Sequence, residues 1–145
     1  MGFAAILSLA WITAGCSSFN REWKRATTPA PTNVMTGRWE GTWHSDVNDH
    51  SGRLRCLVTP LTNDGYQARF YAKYKRVFTF SFSYNAPLTV RRNQEVFLFE
   101  GDANLGWYAG GRYEYQGHAD GRDFFSTYRS KYDHGTFRMK RPAAE

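Results

Sequence analysis

Tyr66-Gln67-Ala68-Arg69-Phe70-Tyr71-Ala72-Lys73-Tyr74-Lys75 is the stretch that decides the fold. Tyr66, Ala68, Phe70, Ala72 and Tyr74 share one face if side chains alternate. Gln67, Arg69, Tyr71, Lys73 and Lys75 then take the other. A two-residue period of this kind marks a strand with one face on a core and one toward water. Asn63-Asp64-Gly65 just ahead of it is a tight-hairpin signal. Val77 to Tyr84 behind it repeats the alternation, with Phe78, Phe80, Phe82 and Tyr84 against Thr79, Ser81 and Ser83.

The same texture runs outward in both directions. Strands are predicted at Gly37–Asp46, Arg53–Thr59, Tyr66–Lys75, Val77–Tyr84, Glu95–Glu100, Gly111–Ala119, Phe124–Lys131 and Thr136–Arg141. Turn residues separate them, as in Asn48-Asp49-His50-Ser51-Gly52, Arg92-Asn93-Gln94, Asp120-Gly121 and Asp133-His134-Gly135. After Thr36 no stretch sustains a 3.6-residue period, so no long helix is expected inside the domain. Short loops between evenly spaced strands predict an all-β fold, a small eight-stranded up-and-down antiparallel barrel over residues 36–142. Closure would remove the exposed edges of so aromatic a chain.

The chain has 145 residues, enough for one domain. It carries 11 Phe, 9 Tyr and 5 Trp, and rings bury enough area each for a short chain to build a real core. The formal charge is +6, which favours anionic neighbours. Most of the cations alternate with apolar residues, as on the solvated outer face of a sheet. Arg69, Lys73, Lys75 and Arg76 beside Tyr71 and Tyr74 form a basic, ring-bearing patch. An anionic lipid or glycan is its expected partner. Nucleic acid is not expected, because the N-terminus reads as an export signal, and the barrel is expected to be monomeric.

Phe3 to Ala14 is a nearly continuous apolar run. It is shorter than the roughly 20 residues of a spanning helix and suits the core of a secretory signal over residues 1–15. It ends at Thr13-Ala14-Gly15-Cys16, where small residues precede a cysteine. Residues 16–35 then read as a tether, stiffened by Thr27-Thr28-Pro29-Ala30-Pro31-Thr32. Within it, Phe19-Asn20-Arg21-Glu22-Trp23-Lys24-Arg25 sets two rings among three cations, and Trp23 is a candidate for head-group depth in a membrane.

Three resemblances sharpen this reading. Ala14-Gly15-Cys16 resembles a lipobox, which implies cleavage before Cys16, acylation of Cys16 and a membrane anchor. Ser17 in the next position implies sorting to the outer membrane, with the barrel in the periplasm. Gly37-Arg38-Trp39 resembles the Gly-x-Trp signature of calycins, the lipocalin and avidin group. That resemblance implies a barrel plugged by Trp39, with a cation from the last strand across its ring. Arg141 is the preferred cation and Arg138 the next. The whole chain is similar to a family of bacterial lipoproteins, through Cys16 to Arg21, Gly37 to Trp43, Gly52 to Cys56 and Lys131 to Phe137. It implies a fold and an address and no activity.

Chemistry is harder to find. His44-Ser45-Asp46 and His118-Ala119-Asp120 each set a His and a carboxylate two apart, on one side of a strand. All four His lie in or near turns, where Asp serves turn geometry, and no zinc-like spacing occurs. No catalytic residue, metal or cofactor is expected. Cys56, between Leu54 and Val58, reads as a buried inert thiol, and no internal disulfide is expected. An eight-stranded barrel either fills itself or holds one small guest. A cavity would be lined by Trp43, Phe70, Phe80, Phe82 and Tyr115 and would suit a small hydrophobic or amphiphilic ligand. The alternative is a solidly packed barrel that contacts other envelope components from outside.

Overall fold

A computed structural model describes residues 10–26, 33–62, 65–75 and 79–143, with only the backbone for residues 10–17 and Phe80. Helix α1 (Ala10–Arg25) precedes β1 (Gly37–Ser45), β2 (Ser51–Pro60), β3 (Gly65–Lys75), β4 (Thr79–Asn93), β5 (Val96–Asn104), β6 (Arg112–Ala119), β7 (Asp123–Arg129) and β8 (His134–Lys140). Each strand pairs antiparallel with the next, and β1 pairs with β8, giving the closed up-and-down barrel expected. Met1 to Leu9, most of the apolar leader, lie outside the described residues, as do Thr27–Thr32, Asn63, Asp64 and Arg76–Phe78.

The strands follow the predicted alternation. Leu54, Cys56 and Val58 of β2 and Ala68, Phe70 and Ala72 of β3 point inward and are buried. Two strands are longer than expected. β4 continues through Pro87 to Asn93, and β5 runs on to Asn104. Pro87 lacks an amide N–H, which argues against a paired strand interior. It is tolerated because the β4–β5 ladder extends only from Leu88 to Asn93. From Thr79 to Pro87, the described pairing of β4 is with β3.

One end of the barrel is shut. Asn33 Oδ1 accepts from the amides of Met35 and Thr36, both at 2.9 Å, folding residues 33–36 into a turn beneath the strands. Gly37 takes φ 98°, a backbone conformation that favours glycine, and turns the chain up into β1. Trp39 follows, fully buried, and its indole N–H donates to the Met35 carbonyl at 3.0 Å. Arg141, just past β8, lies 3.8 Å over the Trp39 ring. Its guanidinium donates to the carbonyls of Val34 (2.6 Å), Thr36 (2.7 Å) and Arg38 (3.2 Å). The Gly-x-Trp motif and the last cation therefore lock the N-terminal turn across the floor. Arg138 lies instead over Phe125.

The segment read as an extended tether differs. Residues 10–25 are helical, and Phe19 and Trp23 turn inward to a second small core with Leu57 and Tyr71. Phe19 is 0% and Trp23 6% exposed, so Trp23 does not stand free to enter a membrane. The physical reason is spacing: rings four residues apart share one helix face. Leu57 and Tyr71 point out of the barrel and give that face an apolar partner. Phe19 stacks on Tyr71 at 4.9 Å, and Arg38 and Arg55 lie over Trp23. Glu22 pairs with Arg69 at 2.6 Å, and Arg69 also donates to the Ser18 hydroxyl at 2.7 Å.

Trp23→Ala removes most of this seam and nothing from the barrel interior. Amide protons of residues 19–25 are expected to lose most of their protection against hydrogen exchange while those of β1–β8 keep theirs. Loss of protection throughout the barrel would show instead that the helix is integral to the fold.

Candidate functional site

The other end is open. Loops 46–50, 105–111 and 130–133 surround a cavity of about 350 Å³. Its walls are mostly rings at the mouth ends of the strands. Of the five residues predicted to line it, Trp43, Phe82 and Tyr115 do. Phe70 does not. It lies in the core one layer down, 1% exposed, and stacks on Tyr84 (5.3 Å) and Tyr115 (5.7 Å) as part of the floor. Phe80 pairs with Tyr74 in the β3–β4 ladder, and its side chain is outside the described atoms.

The wall includes residues outside the five predicted, although alternation sets Tyr74 and Tyr84 on the inward face. Tyr74, Tyr84, Tyr113 and Tyr128 all face the cavity, with His50 and Asp133 nearer the rim. Phe82 is 45% exposed although it points inward, because the space in front of it is open. Phe82, Tyr84, Tyr115 and Tyr113 form a ladder of nearly parallel rings, with neighbours tilted by only 17–20°. The lower half of the barrel is packed and the upper half is not, so the solid-barrel alternative describes only part of the interior.

Most polar groups in the cavity are committed. The Trp43 indole donates to the Lys73 carbonyl at 3.1 Å. Tyr74 and His50 share a hydrogen bond at 3.1 Å. Tyr128 donates to Asp133 and to the His44 carbonyl, and Ser45 donates to Asp133 at 2.6 Å. The exception is Tyr115, whose hydroxyl is buried and has no partner in good hydrogen-bond geometry, with the Tyr84 hydroxyl its nearest phenolic neighbour. Burial pushes the phenols of Tyr84, Tyr115 and Tyr128 above the usual range, so all three are neutral at physiological pH.

The two His–carboxylate pairs separate into different roles. His44 Nε2 stands 3.7 Å from Asp46 and 3.5 Å from Asp49, at the exposed rim. Asp120 accepts from the amides of Arg122 and Asp123, which is turn service, and those bonds hold its carboxyl below the ordinary range. Among the described residues no three His, Cys, Asp or Glu side chains gather as a metal site. Cys56 is fully buried, and burial pushes its thiol well up, so it is not poised as a nucleophile.

The basic patch is not assembled as read. Arg69 is held by Glu22, Ser18 and Ser83, and Tyr71 lies under α1. Tyr74 faces the cavity, and Arg76 is outside the described residues. Lys73 and Lys75 remain exposed on β3. Comparison with family models, with curated proteins and with solved structures gives no match. The site therefore has to be read from its own geometry: a closed eight-stranded barrel with one plugged end and one open, ring-lined end.

Proposed function

We propose that this chain is a lipoprotein of the bacterial outer membrane, acylated on Cys16, whose barrel faces the periplasm and binds one small hydrophobic or amphiphilic guest without catalysis. The observation that carries the binding half is the cavity of about 350 Å³, apolar in its walls and open to solvent at one end. It falls in the size range of small-molecule sites, and its few polar groups converge on one volume. The address half rests on the apolar leader, the Ala14-Gly15-Cys16 junction and Ser17.

Cleavage before Cys16 would leave the part of α1 that holds Phe19 and Trp23. An acylated Cys16 would then sit three residues from a ring packed on the barrel wall. The barrel would ride close to the lipid surface rather than at the end of a long tether. Trp107, Tyr108 and Tyr132 stand exposed on the mouth loops, and rings of this kind favour the head-group zone. A guest drawn from the membrane fits both features. A purely structural role, with the outer face touching other envelope components, leaves the open cavity unused.

Two measurements test the two halves separately. Radiolabelled palmitate is expected to mark the wild-type chain and not Cys16→Ser, and equal labelling of both would remove the anchor. Native mass spectrometry of the full chain from cells, released from detergent, is expected to show a bound small molecule. That molecule should be lost when Tyr113→Trp fills the cavity. A bare mass in both would remove the binding reading.

A further inference from the structure

The Tyr115 hydroxyl is the one described buried side-chain polar atom without a hydrogen-bond partner. A buried hydroxyl left in this state is unfavourable by about 1–3 kcal/mol, the typical desolvation penalty. Phenylalanine would fill the same space without that penalty, as Phe70 and Phe137 do beside it. Tyr115 lines the cavity although the residue is only 1% exposed, its hydroxyl closed off from solvent. Tyr84 stands beside it. A guest that settles against these rings and parts them would meet a neutral donor at Tyr115.

The rest of the lining narrows the guest. No lysine or arginine occurs among the described lining residues, and the one carboxylate there is Asp133. A carboxylate or phosphate pushed to the floor would lose its hydration and meet no cation, which is strongly unfavourable in an apolar site. A cation would meet Asp133 only at the rim, since Asp133 belongs to the loop between β7 and β8. The nearly parallel rings of Phe82, Tyr84, Tyr115 and Tyr113 offer faces for a flat partner to stack on.

We infer that the cavity takes a neutral, flat, ring-bearing guest that enters carbonyl first, so that its oxygen accepts a hydrogen bond from Tyr115. This rests on the reading of the barrel as a binding module and adds the chemistry of the ligand to it. A carboxylate driven head first to the floor is disfavoured by the same lining.

The test uses three probes on the full chain in mild detergent, by isothermal titration calorimetry: 9-fluorenone, its hydrocarbon counterpart fluorene, and 2-naphthoate. Fluorenone is expected to bind, and Tyr115→Phe to weaken it about tenfold, the factor that corresponds to one good hydrogen bond. The same substitution is expected to leave fluorene unchanged or slightly tighter. Comparing the two probes across the same variant cancels their different solubilities. The naphthoate is expected to bind most weakly. A second readout needs no variant: the carbonyl stretch of bound fluorenone should fall below its value in hexane.

Equal responses of fluorenone and fluorene to Tyr115→Phe, with an unshifted carbonyl stretch, would overturn the inference and leave the binding module standing. Tightest binding by the naphthoate would overturn it too. Failure of all three probes to bind would overturn it as well, whereas the binding module itself falls only if the chain taken from cells also shows a bare mass, so the two failures are distinct.

Discussion

Trp39→Ala is expected to destabilise the domain by about 3–5 kcal/mol, the usual loss for deleting a large buried ring. The site gives reasons for the upper end. Trp39 is fully buried, with Phe124 at 5.4 Å on one side and Arg141 at 3.8 Å on the other. Deleting the indole opens a cavity in the packed half of the barrel. It also leaves the Met35 carbonyl without its donor and the guanidinium without its platform. Arg141 keeps its charge in this place. Burial pulls its pKa down, but its three carbonyl acceptors hold the charged form. Arg141→Lys preserves the charge and loses the fork that reaches three carbonyls, so a loss of about 2 kcal/mol is expected, in the range for hydrogen bonds to charged groups. Because the two side chains touch, the double variant should lose less than the sum of the singles. Urea unfolding of the four proteins measures this. Strict additivity would mean that Trp39 and Arg141 stabilise the floor independently and that the stacking contributes nothing.

Trp39 and its cation were legible through the resemblance of Gly37-Arg38-Trp39 to the Gly-x-Trp signature, and the face shared with Phe137 and Met139 chose Arg141 over Arg138. The β1–β8 pairing, which sets Glu40 against Lys140, then brings the two together. The pocket was legible in part. Inward alternation named Trp43, Phe82 and Tyr115, but it carries no depth. Phe70 pairs with Tyr84 well inside β3, so it became floor, whereas Tyr113 and Tyr128, near the mouth ends of β6 and β7, became wall. Counting residues from the strand end would have separated them.

The helix was not read, although a signal for it exists. Cys56-Leu57-Val58 and Phe70-Tyr71-Ala72 are runs of three consecutive apolar residues inside otherwise alternating strands. A strand covered on both faces shows such runs. Such a run also occurs at Val96-Phe97-Leu98-Phe99 of β5, where Leu98 stays exposed, so it becomes a signal only with an apolar helix face to match. Leu57 and Tyr71, the outward members, fix where the cover sits, and Phe19 and Trp23 supply it. The fourth strand was expected to end at Tyr84 and runs on through Pro87, beyond which it pairs with β5. Alternation reports a single partner face and does not show such changes of neighbour.

Alkaline pH is expected to unfold this barrel through its own cavity floor. Tyr84, Tyr115 and Tyr128 have phenols whose pKa is raised first by burial. In the unfolded chain each titrates near 10. A group with a raised folded pKa contributes stability that is fully present below its unfolded pKa. That contribution is lost as pH climbs toward the folded value, because the unfolded state sheds its proton first. Arg141 does not counter this, because a guanidinium held by three carbonyls stays charged through this range. The urea midpoint should therefore be flat from pH 7 to 9 and fall between 10 and 11. Tyr128→Phe should make that fall shallower, since it removes one of the three phenols. A midpoint that stays level through pH 11 in the wild type would mean that water already reaches these phenols in the native cavity and that they titrate as freely folded as unfolded.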